Sequence, residues 1–211
     1  MSSERRGPLA STSRLGRREP DTRVDVPNPQ RVLAAAFTMP ALPESVVRPV
    51  VTAPARVLST PGQDVDPSDP AVVQLAADLL ATQRVSPGCV GLAAQQVGLA
   101  WRVFSVDVSA HPKTRTCHGA FVLCNAELLE SSRRERGREG CMSVPDLTGD
   151  VKRARRVVVR GQLPVTGETV TLSTDAFEAV ALQHEIDHTS GLLFLDRVAG
   201  AHALHARQTY L

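Results

Sequence analysis

A chain of 211 residues is long enough for one domain with a full hydrophobic core. Its hydrophobic share of 42% against 22% charged is ordinary for a soluble globular protein, and no apolar run approaches the roughly 18 residues of a membrane span, so no transmembrane helix is expected. The net charge of +2 comes from an Arg-rich first stretch and leaves the rest near neutral, which argues against a broad basic groove for nucleic acid.

Residues 1–47 are rich in Arg, Ser and Pro and carry no sustained period, so they are expected to form a disordered or loosely attached extension. The Arg-rich start lacks the apolar segment of a secretory signal, and its acidic residues argue against a transit peptide, so a cytoplasmic location is expected. The folded domain is expected over residues 48–211. Ser68-Asp69-Pro70 reads as an N-cap with proline in the first turn. It opens an amphipathic helix over Ala71 to Gln83, with Val73, Leu75, Leu79 and Leu80 apolar, closed before Ser86-Pro87-Gly88. The small-residue run Gly91-Leu92-Ala93-Ala94 permits close backbone approach to a ligand, with Gln96 as a neutral donor; a tight turn packing a helix on a sheet is the competing reading. Arg102–Val108 alternates and predicts a strand, Ala120–Asn125 a second, with a loop from His111 to Gly119 between them. Ser131–Arg138 reads as a charged, solvated loop. Val157–Gly161 and Val170–Leu172 predict two further strands joined through a Pro164/Gly167 turn. Strands grouped before a final helix predict an α+β fold of short antiparallel strands packed around a central metal-binding helix.

That helix is predicted from Asp175 to near Gly191, with Thr174 or Asp175 as its cap. Phe177, Val180, Ala181 and His184 recur at helical spacing and define one inward face. It carries Gln183-His184-Glu185-Ile186-Asp187-His188. Two histidines one turn apart can hold one metal ion, with the intervening glutamate beside a water. A catalytic ion usually takes three protein ligands, so a third is needed. Cys141, in Glu139-Gly140-Cys141-Met142-Ser143, can supply a thiolate; a cysteine nucleophile paired with histidine and a buried inert thiol are the alternatives. Cys117 and Cys124 are further possible ligands. With no export signal, disulfides are not the default for Cys89, Cys117, Cys124 and Cys141. Asp187 reads as an orienter of the site or as a structural ion pair with Arg153 or Arg155, with the ion pair favoured, and Arg102 reads as structural.

Three stretches, taken together and in order, resemble the peptide deformylase family: Cys89-Val90-Gly91-Leu92-Ala93-Ala94-Gln95-Gln96, Glu139-Gly140-Cys141-Met142-Ser143 and Gln183-His184-Glu185-Ile186-Asp187-His188. The likeness runs from about Arg48 to Val198 and includes Gly191–Arg197. The resemblance implies a metal-dependent hydrolase that removes the formyl group from the N-terminal formylmethionine of newly made polypeptides and releases formate. It implies Cys141, His184 and His188 as metal ligands, Glu185 as general base and acid, and Gln96 with the Met142 backbone N–H as oxyanion donors. It implies Gly91, Glu139 and Gly140 as contacts to the substrate peptide, and Val90, Phe177, Val180 and Ala181 as the lining of a methionine pocket. The implied cofactor is one divalent ion, ferrous iron natively, with zinc, nickel or cobalt as substitutes. The implied partners are N-formylmethionyl nascent peptides, at the ribosome, with no nucleic-acid groove, no membrane and a monomeric state.

The sequence departs from the family pattern at Cys89, where the family has glycine, at Ala126 in place of proline and at Thr189 in place of leucine. Two other readings follow. A catalytically altered or regulatory relative would draw on Cys89 and the extension. A zinc peptidase of the His-Glu-x-x-His type would need a third ligand downstream, where His202 and His205 are the candidates.

Overall fold

The structure is a computed structural model that describes residues 37–208, so the expectations for residues 1–36 lie outside the described residues. Among the described residues, two α-helices and one six-stranded antiparallel sheet form an α+β fold. Helix α1 spans Pro70–Val85 and begins where the proline signal places it: Asp69 caps it by accepting the Ala71 N–H at 2.8 Å. Strand β1 (Gly91–Ala93) pairs with β2 (Val103–Val106), β2 with β3 (Phe121–Cys141), β3 with β4 (Val144–Gln162) and β4 with β5 (Thr169–Asp175). Helix α2 follows at Ala176–Thr189, and β6 (Leu204–Ala206) returns to pair with β4.

Alternation along β2 and β3 explains how both helices are held. Phe104, Val106, Phe121 and Leu123 join the cluster that contains Ala179 and Leu182 of α2. The intervening Val103, Val122 and Cys124 join the cluster built on Leu75 and Leu79 of α1. β1, β2 and the start of β3 are therefore covered on both faces, with side chains of opposite parity feeding opposite cores. Buried Ser105 donates to Gln83 Oε1 at 2.5 Å and so ties β2 to α1. A third cluster of Cys141, Val144, Val151 and Phe194 closes the far end under the C-terminal segment.

The strands are not all short. β3 has 21 residues and β4 has 19, and the Ser131–Arg138 stretch expected as a loop is the middle of β3. Glu127 to Arg138 are all exposed, so neither face shows the two-residue apolar period that marks a strand in a sequence. Cross-strand ion pairs hold this arm instead: Glu127 with Arg160 at 2.7 Å and Arg138 with Asp150 at 2.6 Å. Beyond Cys124, β2 no longer pairs with β3, and the charges keep that open edge from recruiting other strands.

The packed chain also starts before Arg48. Phe37 meets Phe121 edge-on at 5.6 Å between ring centroids, and Met39 packs against the cores on both sides of the sheet. The Val46 N–H donates to Asp78 at 2.9 Å and Arg48 pairs with the same buried carboxylate at 2.7 Å. Residues 37–48 thus form a strap that runs from the α2-side core to α1. Burial would raise the Asp78 pKa, but the Val46, Gln74 and Arg48 donors outweigh it and hold it below the usual value.

Candidate metal centre and cleft

Helix α2 forms from a run free of glycine and proline, and it presents two sides with different work. Neither Thr174 nor Asp175 caps it in the manner expected. Asp175 makes no capping bond and instead accepts from Thr116 Oγ1, while Thr174 donates to Glu178 at 2.6 Å. On the side facing the sheet, Gln183 accepts the Ala154 N–H at 3.0 Å and donates to the Ala154 carbonyl at 2.9 Å, reproducing a strand's pairing with β4. That clamp sets the rotation of the helix. Phe177, Val180, Ala181, His184 and Glu185 then line a cleft of about 380 Å³.

Cys141 reaches the same place from the end of β3. A register shift between Gly140 and Cys141 ends the regular ladder at the turn into β4. The Cys141 Sγ and a ring nitrogen from each of His184 and His188 lie within 4.8 Å of one another. Cys141 Sγ is 3.2 Å from His188 Nε2. Bond lengths near 2.3 Å to sulfur and 2.0 Å to nitrogen place such tetrahedral ligand atoms roughly 3.3–3.5 Å apart, so small adjustments of these side chains fit one ion. Glu185 Oε2 is buried without a protein partner among the described residues, as a group awaiting a water would be. The donor set of one thiolate and two imidazoles suits zinc, iron or a similar divalent ion.

The charges agree with that use. Burial works against a Cys141 thiolate, but His188 and His184 outweigh it and hold the thiol well below its ordinary pKa. Burial likewise opposes a charged His184, yet Cys141 and Glu139 raise it well above the ordinary histidine value. Burial pushes Glu185 up to about 7 against the neighbouring histidines, which is suited to taking and returning a proton near neutrality.

A buried network positions these groups. His184 Nδ1 lies 3.0 Å from Glu139 Oε2, and Arg153 donates to both oxygens of Glu139. Arg153 also donates to Asp187, which accepts from Arg197 on its other side. Asp187 therefore makes the ion pair expected with Arg153, and through Arg153 it also supports the Glu139–His184 contact. The side chain of Glu139 was not anticipated; only a charged residue beside a ligand motif hints at it. Gln96 is held by the backbone of Ala93, with Oε1 accepting the Ala93 N–H at 2.9 Å, so that Nε2 points to Cys141 Sγ at 3.4 Å and Ser143 Oγ at 3.3 Å. Met142 lines the cleft beside it.

Gly91 faces Glu185 so closely that a Cβ there would collide with the carboxylate. Val90, Gly91 and Cys89 border the opening, and Glu139 and Gly140 form its other border. The positive φ next to Cys89 belongs to Gly88, at 67°, so Cys89 itself carries no left-handed strain. Its thiol donates to the Gly91 carbonyl at 3.2 Å, and burial raises its pKa to about 12, leaving a neutral thiol. His111, Lys113, Arg138 and Arg207 also line the cleft, and no sequence pattern marks them for it.

Other candidates fall elsewhere. Cys117 is exposed, Cys124 is buried in the α1 core, and neither joins the ligand cluster. His205 pairs with Asp150 at 3.2 Å and His202 is exposed, so the downstream ligand required by a peptidase is not supplied by them. Arg102 is structural, bonded to Asp64 at 2.6 Å and to the Ala126 carbonyl at 2.8 Å.

Comparison with known proteins gives a consistent result. The family model described as polypeptide deformylase matches residues 47–203. A peptide deformylase of Aquifex aeolicus is 36% identical over 165 residues, covering 78% of this chain and 95% of its own. Peptide deformylase 1 of Bacillus subtilis is 39% identical over 153 residues, covering 72% and 91%. A class I type b peptide deformylase from Acinetobacter baumannii, solved with Met-Ala-Ser bound, superposes with a TM-score of 0.64 at 36% identity, covering 74% of this chain and all of its own.

Proposed function

The chain belongs to the polypeptide deformylase family, and on that premise we propose a role for each group in the cleft. The enzyme is a hydrolase that removes the N-formyl group from newly made polypeptides. The observation that carries the site assignment is the convergence of Cys141, His184 and His188 within 4.8 Å, with Glu185 on the same helix beside them. Those three residues would hold one divalent ion, ferrous iron in the native state, making α2 the metal-binding centre of the fold. When bound, the ion supplies a Lewis acid that makes water a nucleophile at neutral pH.

The protein's own groups do the rest. Glu185 accepts the proton of the attacking water and returns it to the amine nitrogen that leaves. Gln96 Nε2 and the Met142 N–H donate to the oxygen that gains charge as the formyl carbon becomes tetrahedral; one such donor contributes about 3 kcal/mol. Glu139, held by Arg153, keeps the His184 ring turned so that its other nitrogen faces the ion. The methionine side chain enters between Val90, Phe177, Val180 and Ala181, and the peptide backbone runs between Gly91 and Glu139-Gly140. Support for this placement comes from the cleft's lining and from the relative solved with Met-Ala-Ser bound.

The enzyme would act as a cytoplasmic monomer on nascent chains at the ribosome; no helix among the described residues is long and apolar enough to cross a membrane. The decisive experiment follows formate release from formyl-Met-Ala-Ser, with metal content measured on anaerobically purified protein. Glu185→Gln should retain the metal and lower kcat by about 10²–10⁴-fold. Undiminished turnover in that variant removes Glu185 from its role, and bound metal without any turnover in the parent favours a regulatory relative.

A further inference from the structure

We propose that the outer rim of the cleft binds a carboxylate, giving the enzyme a preference for formylated peptides with an acidic third residue. The inference deepens the deformylase reading and rests on it. In an extended peptide, side chains one and three point the same way. Side chain one enters the pocket along Phe177. His111 stacks on Phe177 with ring centroids 3.5 Å apart and planes 8° from parallel, so it prolongs that wall outward. Lys113 follows two residues later on the same cleft lining, exposed and with no acidic partner among the described residues. Side chain three therefore meets a cation.

The opposite border is cationic too. Arg207, just past β6 and beyond the family match, brings a guanidinium nitrogen 2.5 Å from where a Cβ on Gly140 would stand. It donates to the Cys141 carbonyl at 3.0 Å. Arg138 lies on the same border, its charge partly met by Asp150. Neither acid of the lining pairs with Lys113. Glu139 is matched by Arg153 and His184, and Glu185 is only 3% exposed, deep at the ligand cluster. Positive charge sits at the rim and negative charge at the floor. A peptide with a carboxylate at its third position fits both better than one with an ammonium.

The test compares formyl-Met-Ala-Glu-amide with formyl-Met-Ala-Lys-amide on the metal-loaded enzyme, with formyl-Met-Ala-Ser as reference. We expect about 3- to 10-fold higher kcat/KM for the Glu peptide, carried by KM, because exposed pairs are individually weak. The ratio should fall towards one in 1 M salt. Lys113→Gln, which removes an exposed side chain without disturbing packing, should shrink the ratio, and Arg207→Gln should shrink it further. If the reference peptide is hydrolysed but Glu and Lys peptides react equally, the inference falls and the deformylase reading stands. A ratio unchanged in both variants also overturns it. Failure to hydrolyse any of the three removes the deformylase reading, and this inference with it.

Discussion

Cys89 is a neutral thiol at the mouth of the cleft that occupies the Gly91 carbonyl, the group we propose runs along the substrate backbone. Replacing it by glycine frees that carbonyl. Cys89→Gly should therefore lower KM for formyl-Met-Ala-Ser severalfold at nearly constant kcat, and unchanged steady-state constants would show that the thiol yields its bond at no cost. Gly91 is constrained differently, since any Cβ strikes the Glu185 carboxylate. Gly91→Ala should displace Glu185, the proposed base, and lower kcat by about 10²-fold or more, with little change in melting temperature. Glu139 holds the His184 ring and is itself held by Arg153. Loss of such an outer support typically costs about 10–100-fold in metal affinity, so competition of Glu139→Gln with a chelator should show a shift of that size.

At the scale of elements, the strap over α1 depends on one carboxylate. Asp78 is fully buried and receives the Val46 N–H, Gln74 Nε2 and the Arg48 guanidinium. Removing one partner of a buried pair costs about 3 kcal/mol, so Asp78→Ala should lower urea stability by roughly that much. The pH dependence has a definite sign. The folded pKa of Asp78 lies below its unfolded value near 3.8, so its contribution is complete above that pH and is lost as pH falls through the folded pKa. Acid titration of stability should be shallower in Asp78→Asn than in the parent. The β3–β4 arm makes a different point about elements: the fully exposed Glu127–Arg138 stretch of β3 is held to the half-buried β4 by ladder hydrogen bonds and cross-strand charges, with bulges between Cys124 and Glu127 and between Leu128 and Glu130.

For the whole molecule, the ligand cluster joins two parts that are distant in sequence, Cys141 at the end of β3 and the two histidines on α2. An ion bound there favours the folded state over the unfolded. At a hundredfold excess over the dissociation constant this amounts to about 2.7 kcal/mol, or about 5–10 °C in Tm for a domain of this size. Chelation under anaerobic conditions, followed by thermal melting, should show that decrease and its reversal on adding metal.

The amino-acid order by itself determined α1, its Asp69 cap, α2 and the strands around Val103, Phe121, Val157 and Val170, because caps, prolines and apolar periods act within a few residues. It also marked two candidate ligands, because His184 and His188 stand one helical turn apart whatever surrounds the helix, whereas the third, Cys141, was singled out from the other cysteines only by the family resemblance. What only the tertiary structure decided lies where distant segments meet. The Ser131–Arg138 strand left no period because water covers both its faces. The strap from Phe37 was invisible because its partners, Phe121, Asp78 and Thr82, are far along the chain. Arg207 and His111 reach the cleft only because β6 pairs with β4 and the loop after β2 folds onto Phe177. Short motifs encode the candidate reacting groups, whereas the outer walls of the cleft come from side chains brought together by packing.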